Sequence, residues 1–278
     1  MMDSNALRIA ALCSDVVKEH ILWIEGNDRA RSGSNIDQDD AKFTVMSMSE
    51  LVVTPFKSAL DCLYVVCSSL LDLGRVRGIG HPALVRSSIT GSATSLWILD
   101  DNSLTRRTRA LMIAREQCKR ELEFAAGLSP DWYGANRDLD PWLIRLKERA
   151  EEVVTDGDRL NIGRSTIEKK TSDTEIVRLG GERIPAIALP GHQPSPHLLS
   201  EWRLLSGRAH GFHWSARYAV EERPGSDERF VVYDSAIPAD RFLGSVRVAM
   251  VATRTAMDRY AAAAGIGPID LRKPWELS

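Results

Sequence analysis

The chain has 278 residues, of which 44% are hydrophobic and 27% charged, and its formal net charge at pH 7 is −2. This composition is typical of a folded globular protein and excludes intrinsically disordered and collagen-like chains. The near-neutral charge provides no general attraction to nucleic acid or anionic lipid, so any such contact would have to come from a local patch.

The N-terminal segment and the cysteines indicate a cytoplasmic setting. The first twenty residues lack the basic start and the uninterrupted apolar stretch of a signal peptide. The apolar runs are shorter than the roughly 18–20 residues that span a bilayer, so we expect no membrane contact. None of the four cysteines forms a C-x-x-C pair, and each lies among apolar residues of a helical pattern, which predicts buried free thiols in a reducing compartment. They are Cys13, Cys62, Cys67 and Cys118.

Helical periodicity runs through most of the chain. Pro55 predicts a bend or a restart in the second periodic segment, and the polar stretch 26–40 is expected to be a mobile loop. The small residues of 87–95 predict close approach of a neighbouring backbone. Apolar residues recur every three to four positions at 4–25, 42–73, 82–100, 105–126, 137–155, 197–210 and 238–264.

Two stretches depart from this pattern. Residues 156–196 contain several glycines and prolines with short helical candidates at 164–170 and 173–179, which predicts an irregular insertion or cap. Residues 215–222 and 229–233 are the expected arms of a small β-hairpin. The predicted fold is therefore an all-α multi-helix bundle with an irregular insertion and one small β-hairpin, and we expect one domain over 1–278.

The segment 197–214 carries most of the candidate chemistry. As a helix it places Arg203, Ser206 and His210 on one face, beside an apolar stripe. We expect Arg86 and Arg107 to point inward from two earlier helices. The five polar residues are then predicted to meet in one inter-helical cleft, and the alternative interpretation is a buried polar network that holds the bundle in register. The stripe contains Leu198, Trp202, Leu205 and Ala209.

Arg203 and His210 are separated by six residues, and Arg208 and His213 by four. This spacing resembles the Arg-x4–6-His motif of the HEPN superfamily, helical proteins that include metal-independent ribonucleases. The resemblance implies that Arg203 binds the scissile phosphate and His210 acts as acid–base, with Arg208 and His213 as the fallback pair. It also implies a site formed across a homodimer.

A second resemblance covers more of the chain. The sequence L-V-R at 84–86 and the sequence L-L-S-x-x-x-H at 204–210 are similar to bacterial helical proteins of unknown function. Those proteins carry an inward arginine on an early helix and a Ser-x-x-x-His pair on a late one. The resemblance implies the fold and a pocket, and it implies no particular reaction.

The sequence lacks the motifs of several other kinds of site. The histidines of 192–213 have no cysteine or carboxylate at metal-ligand spacing, and no H-E-x-x-H motif occurs, so we expect no metal. Glycine-rich phosphate loops and nucleophile elbows are absent, so we expect no cofactor. Trp97, Trp132, Trp142 and Trp202 are expected to pack in the core or a lid, and the sequence does not interleave Lys or Arg with aromatic residues as a basic platform for single-stranded nucleic acid would require.

Two functions follow from these patterns. The first is a HEPN-like protein that acts on RNA, as a metal-independent ribonuclease of the toxin or defence type. The alternative is a non-catalytic helical binding protein, whose inter-helical pocket holds an anion or a partner segment.

Overall fold

The computed structural model describes residues 1–127, 140–218, 222–224, 231–233 and 237–276. The helices of these residues are α1 (Ser4–Glu25), α2 (Asn35–Asp40), α3 (Met48–Leu73), α4 (Gly80–Ile98), α5 (Ser103–Ala126), α6 (Asp140–Arg159), α7 (Arg164–Ile167), α8 (Asp173–Gly181), α9 (Pro194–Ala209), α10 (His213–Arg217) and α11 (Ala239–Ala263). Short 3₁₀ turns lie at Ala186–Ala188 and Pro274–Glu276. The all-α prediction is confirmed.

The hairpin is not supported in its predicted form. Two three-residue strands, β1 (Glu222–Pro224) and β2 (Val231–Tyr233), pair antiparallel. The start of the first predicted arm lies in α10 instead, because the Phe212 carbonyl accepts hydrogen bonds from the backbone N–H and the hydroxyl of Ser215 and closes a helical turn. Residues 225–227, most of the Arg-Pro-Gly-Ser-Asp sequence between the two arms, lie outside the described residues.

Side-chain caps explain where several helices begin. The Asp3 carboxylate accepts a 2.7 Å hydrogen bond from the backbone N–H of Ala6 at the start of α1, and Asn102 caps α5 through Thr105 in the same way. Each cap satisfies a backbone donor that has no partner within the helix. The expected restart at Pro55 is wrong, because α3 continues through this proline from Met48 to Leu73.

The small residues of α4 allow the close approach that the sequence predicted. A Cβ atom on Gly91 would lie 2.3 Å from the carbonyl oxygen of Pro55, so α3 and α4 meet almost backbone to backbone. The hydroxyl of Ser95 donates a 2.7 Å hydrogen bond across this contact to the Val52 carbonyl. Helix α4 also packs against α8, α9 and α11, and it is therefore the centre of the bundle.

The two helical candidates of the stretch 156–196 are present as α7 and α8, and α8 contributes to the core. A Cβ atom on Gly180 would lie 2.7 Å from the Ala93 carbonyl oxygen in α4, and one on Gly181 would lie 2.8 Å from Ser195 in α9. Val177 of the same helix is fully buried. The glycines that interrupt the sequence pattern are thus the points where α8 touches two neighbouring helices.

The predicted mobile loop at 26–40 contains α2. Ser34 caps this helix, Ile36 packs in the core, and Asp39 is fully buried. The polar composition of the stretch does not distinguish solvent-exposed carboxylates from one that is buried with cationic partners.

The helical spacing over 238–264 places six residues on one face of the last long helix, α11, and all six are buried. They are Phe242, Val246, Ala249, Thr253, Ala256 and Tyr260. Arg254 is also almost fully buried, and its guanidinium donates hydrogen bonds to the backbone carbonyls of Ile269, Leu271 and Arg272. The C-terminal segment is thereby attached to α11 through a side chain that the sequence pattern did not single out.

Candidate functional site

The two faces of α9 are partly as predicted. Leu198, Trp202 and Leu205 of the predicted apolar stripe are buried, whereas Ala209 is half-buried. The polar row is divided, because Arg203 and His210 are exposed to solvent while Ser206 is half-buried.

Arg86 and Ser206 meet between α4 and α9. The Nε of Arg86 donates a 2.7 Å hydrogen bond to the Ser206 hydroxyl, and the guanidinium lies 5.2 Å from the ring centroid of Trp202. The indole N–H of Trp202 donates a 2.9 Å hydrogen bond back to the Thr90 hydroxyl of α4. These contacts form a half-buried polar junction between two helices, in keeping with the alternative interpretation of a network that holds the bundle in register.

The predicted convergence of five polar residues is wrong at Arg107. Its Nε donates a 2.6 Å hydrogen bond to the carboxylate of Asp39, and the Nε of Arg106 donates one of the same length to the other oxygen. The described contacts do not join Arg107 to Arg86, Ser206 or α9. The reason is the carboxylate that α2 supplies, for which the spacing of residues in α5 gives no signal.

A tight turn folds the chain back at the end of α9. His210 terminates the helix, Gly211 has φ of +69°, and the backbone N–H of Phe212 donates a 2.8 Å hydrogen bond to the Gly207 carbonyl. Glycine adopts this left-handed conformation without a steric penalty. A Cβ atom on Gly207 would lie 2.6 Å from the Trp214 ring, so the glycine also lets α10 pack against α9.

The end of α9, this turn and α10 carry several exposed aromatic and basic side chains. The exposed fractions of Phe212, Trp214 and Tyr218 are 55%, 44% and 73%. His210 and His213 alternate with them and are also exposed. The three exposed aromatic residues differ in this from Trp97 and Trp202, which are buried as the sequence predicts, while Trp132 lies outside the described residues. We call this region the α9–α10 surface; its members are Arg203, His210, Phe212, His213, Trp214, Arg217 and Tyr218.

The sequence of this region has no acidic residue from 202 to 220, where it carries three arginines and two histidines. Glu201, just before it, is buried and accepts hydrogen bonds of 2.6 Å from Arg241 and 2.7 Å from Ser245. Its negative charge is therefore paired with a cation at the contact between α9 and α11. The segment is locally cationic in a chain whose formal net charge is −2.

The fallback pair has a different environment. Arg208 is buried, with 6% of its surface exposed, whereas His213 is exposed. Burial lowers the pKa of Arg208 from its ordinary value, because a charged group is less stable away from water. A buried guanidinium is less accessible to a large phosphodiester than the exposed group of Arg203.

Metal and membrane sites have little support in the described ranges. No group of three or more His, Cys, Asp or Glu residues there is arranged to hold a metal ion, and His192 and His197 instead stack with ring centroids 4.0 Å apart.

Helix α3 is long and apolar enough to cross a bilayer, but half of its most apolar window is buried inside the fold. A core helix of a soluble protein has the same length and composition, so these two properties alone do not place α3 in a membrane.

Comparison with known proteins adds no relative. No protein-family model, no curated protein and no solved structure matches this chain. Both resemblances of the sequence therefore stay predictions, and a function has to be argued from the surface itself.

Proposed function

We propose that this protein binds single-stranded RNA on the α9–α10 surface. The supporting observation is the alternation of exposed aromatic rings with basic side chains in a segment without acidic residues. Unpaired bases stack on exposed aromatic rings, and arginines neutralise the phosphates between them. The rings of Trp214 and Tyr218 lie edge to face with centroids 6.3 Å apart, which gives successive bases two adjacent apolar contacts.

The proposal includes cleavage by Arg203 and His210. Neutral His210 would take the proton from a ribose 2′-hydroxyl, whose oxygen would attack the adjacent phosphorus and displace the 5′-oxygen. The resulting His210 imidazolium returns the proton, through water, to the leaving 5′-oxygen, and the products carry a 2′,3′-cyclic phosphate and a 5′-hydroxyl. Arg203 would stabilise the additional negative charge on the phosphate.

The difference in exposure between Arg203 and Arg208 favours Arg203 and His210 over the fallback pair. Arg203 and His210 are both exposed, whereas Arg208 is buried. Seven residues correspond to two helical turns and roughly 10 Å along the axis, so Arg203 and His210 lie on the same side of α9. A composite site in a homodimer, as the HEPN resemblance implies, would shorten this separation by pairing residues from two copies.

We also propose a reducing, cytoplasmic setting, in keeping with four cysteines that are all free thiols.

Binding is tested by fluorescence anisotropy with a labelled single-stranded RNA. Tyr218→Ala should weaken binding by about fivefold to a hundredfold, because one stacked base contributes about 1–3 kcal/mol. Arg203→Gln should weaken binding and reduce its dependence on salt. Tyr64→Ala is the matched control, since Tyr64 is 41% exposed on α3. Equal affinity of all four proteins would exclude the α9–α10 surface as the binding site.

Cleavage is tested separately with total RNA in EDTA. The wild type should produce 2′,3′-cyclic phosphate ends, and His210→Ala should not. If the protein binds RNA but does not cleave it, the cleavage proposal is excluded and a non-catalytic RNA-binding function remains. Cleavage that persists in His210→Ala and is lost in His213→Ala would transfer the acid–base role to the fallback histidine. Light scattering in the same buffer reports whether the active species is a dimer.

A further inference from the structure

We propose that a second site, independent of the RNA proposal, binds a small phosphate monoester that carries a planar ring. The site is a cavity of about 640 Å³ between the end of α4, the start of α5, the second half of α11 and the C-terminal segment. Its size lies in the range of small-molecule sites, roughly 300–1,000 Å³. Its lining residues lie on elements other than α9 and α10.

One wall of the cavity carries Arg106, which the fold holds rigidly. Only 4% of this residue is exposed, its Nε donates to the buried carboxylate of Asp39, and its Nη1 donates a 2.8 Å hydrogen bond to the Asp100 carbonyl. A guanidinium fixed by a carboxylate and a carbonyl is already oriented before a ligand arrives. The loss of side-chain entropy that ligand binding has to offset is therefore smaller.

Two further arginines, Arg259 and Arg183, line the same cavity. The Nη2 of Arg259 donates a 2.8 Å hydrogen bond to Asp101, and its Nε donates to the Leu99 carbonyl at 3.3 Å. Arg183 pairs with Asp100 and approaches Asp101. Since the Asp101 side chain is 87% exposed, an anion that enters the cavity can compete with it for the two guanidinium groups.

The charged lining of the cavity carries more cations than carboxylates. Arg106, Arg183, Arg259 and Lys273 line it together with Asp100, Asp101 and Asp258, which leaves a formal surplus of one positive charge. Arg106 and Asp258 each have a further partner outside the lining, Asp39 and Arg254. A phosphate monoester is anionic at neutral pH and matches both the sign of this surplus and the forked geometry of guanidinium groups.

The rest of the lining suits a flat apolar group. Trp275 belongs to the C-terminal segment that the buried Arg254 attaches to α11, and it lines the cavity together with Leu99, Ala262 and Ala263. An indole ring provides a large surface for an aromatic partner. The combination of guanidinium groups, one indole and small apolar side chains therefore favours a phosphorylated ring compound over inorganic phosphate.

The test is isothermal titration calorimetry of the full chain with AMP as the probe. Adenosine lacks the phosphate, inorganic phosphate lacks the ring, and succinate is a dianion without either. AMP should bind at least about tenfold more tightly than each of the three, and its affinity should fall with added salt. Affinity for AMP equal to that for adenosine, inorganic phosphate or succinate would overturn the proposal, as would no AMP binding by protein with a native melting curve.

Two variants should change the affinity in opposite directions. Arg259→Gln removes a cation and should weaken AMP binding by about tenfold. Asp101→Asn removes the exposed competing carboxylate and should strengthen binding by roughly threefold. Arg145→Gln is the matched control, because Arg145 is an exposed ion-paired arginine on α6. AMP affinity that is unchanged in Arg259→Gln, or that decreases in Asp101→Asn, would contradict the assigned site.

The second proposal can fail independently of the first. Tyr218→Ala should leave AMP affinity unchanged, and Arg259→Gln should leave RNA affinity unchanged. Loss of both affinities in either variant, with a normal melting temperature, would show that one site binds both ligands and would overturn the separate assignment.

Discussion

The Nε atom of Arg86 lies 2.7 Å from the Oγ atom of Ser206, and the hydrogen bond between them joins α4 to α9. The same hydroxyl donates a 2.8 Å hydrogen bond to the Trp202 carbonyl one turn earlier. The Ser206 hydroxyl therefore accepts a hydrogen bond from α4 and donates one within α9. Its bonding capacity is used by the fold, whereas Arg203 and His210 on the same helix are exposed.

Ser206→Ala should lower the free energy of unfolding by about 1 kcal/mol, because it leaves the Arg86 guanidinium with one fewer acceptor. Urea denaturation measures this loss. RNA affinity of the folded variant should equal that of the wild type. A variant of wild-type stability that no longer binds RNA would instead place Ser206 in the binding surface.

Asp39→Asn should have a much larger effect on stability. Asp39 is fully buried and accepts 2.6 Å hydrogen bonds from both Arg106 and Arg107. Removal of its charge leaves two guanidinium groups partly or wholly buried beside a neutral amide, at a cost of about 3–5 kcal/mol. The control is Asp61→Asn, at an exposed position of α3, which should change the free energy of unfolding by less than about 0.5 kcal/mol.

Two glycine substitutions should change stability in opposite directions. Gly91→Ala places a methyl group 2.3 Å from the Pro55 carbonyl oxygen and should destabilise the protein by at least about 2 kcal/mol, since α3 and α4 have to separate. A Cβ atom on Gly244 in α11 meets nothing within 4 Å, so Gly244→Ala should stabilise the protein by up to about 1 kcal/mol. Similar unfolding midpoints for the two variants would contradict the close contact of α3 and α4.

His20 should make stability depend on pH. Burial, with the nearby Arg254 guanidinium, lowers the pKa of His20 from 6.5 to about 3, although the backbone at Arg272 opposes the shift. The unfolded chain therefore binds a proton between these values and the folded chain does not. Stability is full above about pH 6.5 and decreases as the pH falls toward 3, by about 2 kcal/mol at pH 5.

His20→Gln should remove this part of the pH dependence, because glutamine can still accept a hydrogen bond from Arg254 but does not titrate. Thermal denaturation between pH 7.5 and pH 5 measures the difference between the two proteins. His213→Gln, at an exposed histidine of α10, is the control and should keep the wild-type profile. Parallel profiles for wild type and His20→Gln would contradict the lowered pKa.

The sequence by itself determined the helices and their inward faces. Apolar spacing in α11 predicts six buried residues from Phe242 to Tyr260, and all of them are buried. The small residues around Gly91 likewise predict a close helix contact that α3 provides. Such patterns succeed because periodicity and residue size depend only on neighbours within one helix.

Only the tertiary structure decided which polar side chains meet. Asp39 comes from a polar stretch that resembled a loop, and it pairs with two arginines 67 and 68 residues further along the chain. Arg254 is buried because backbone carbonyls of the C-terminal segment reach its guanidinium. The exposure of Trp214 follows from a left-handed turn at Gly211. A charged or aromatic side chain has no fixed preference for core or surface until its partners are known, and those partners lie on other helices.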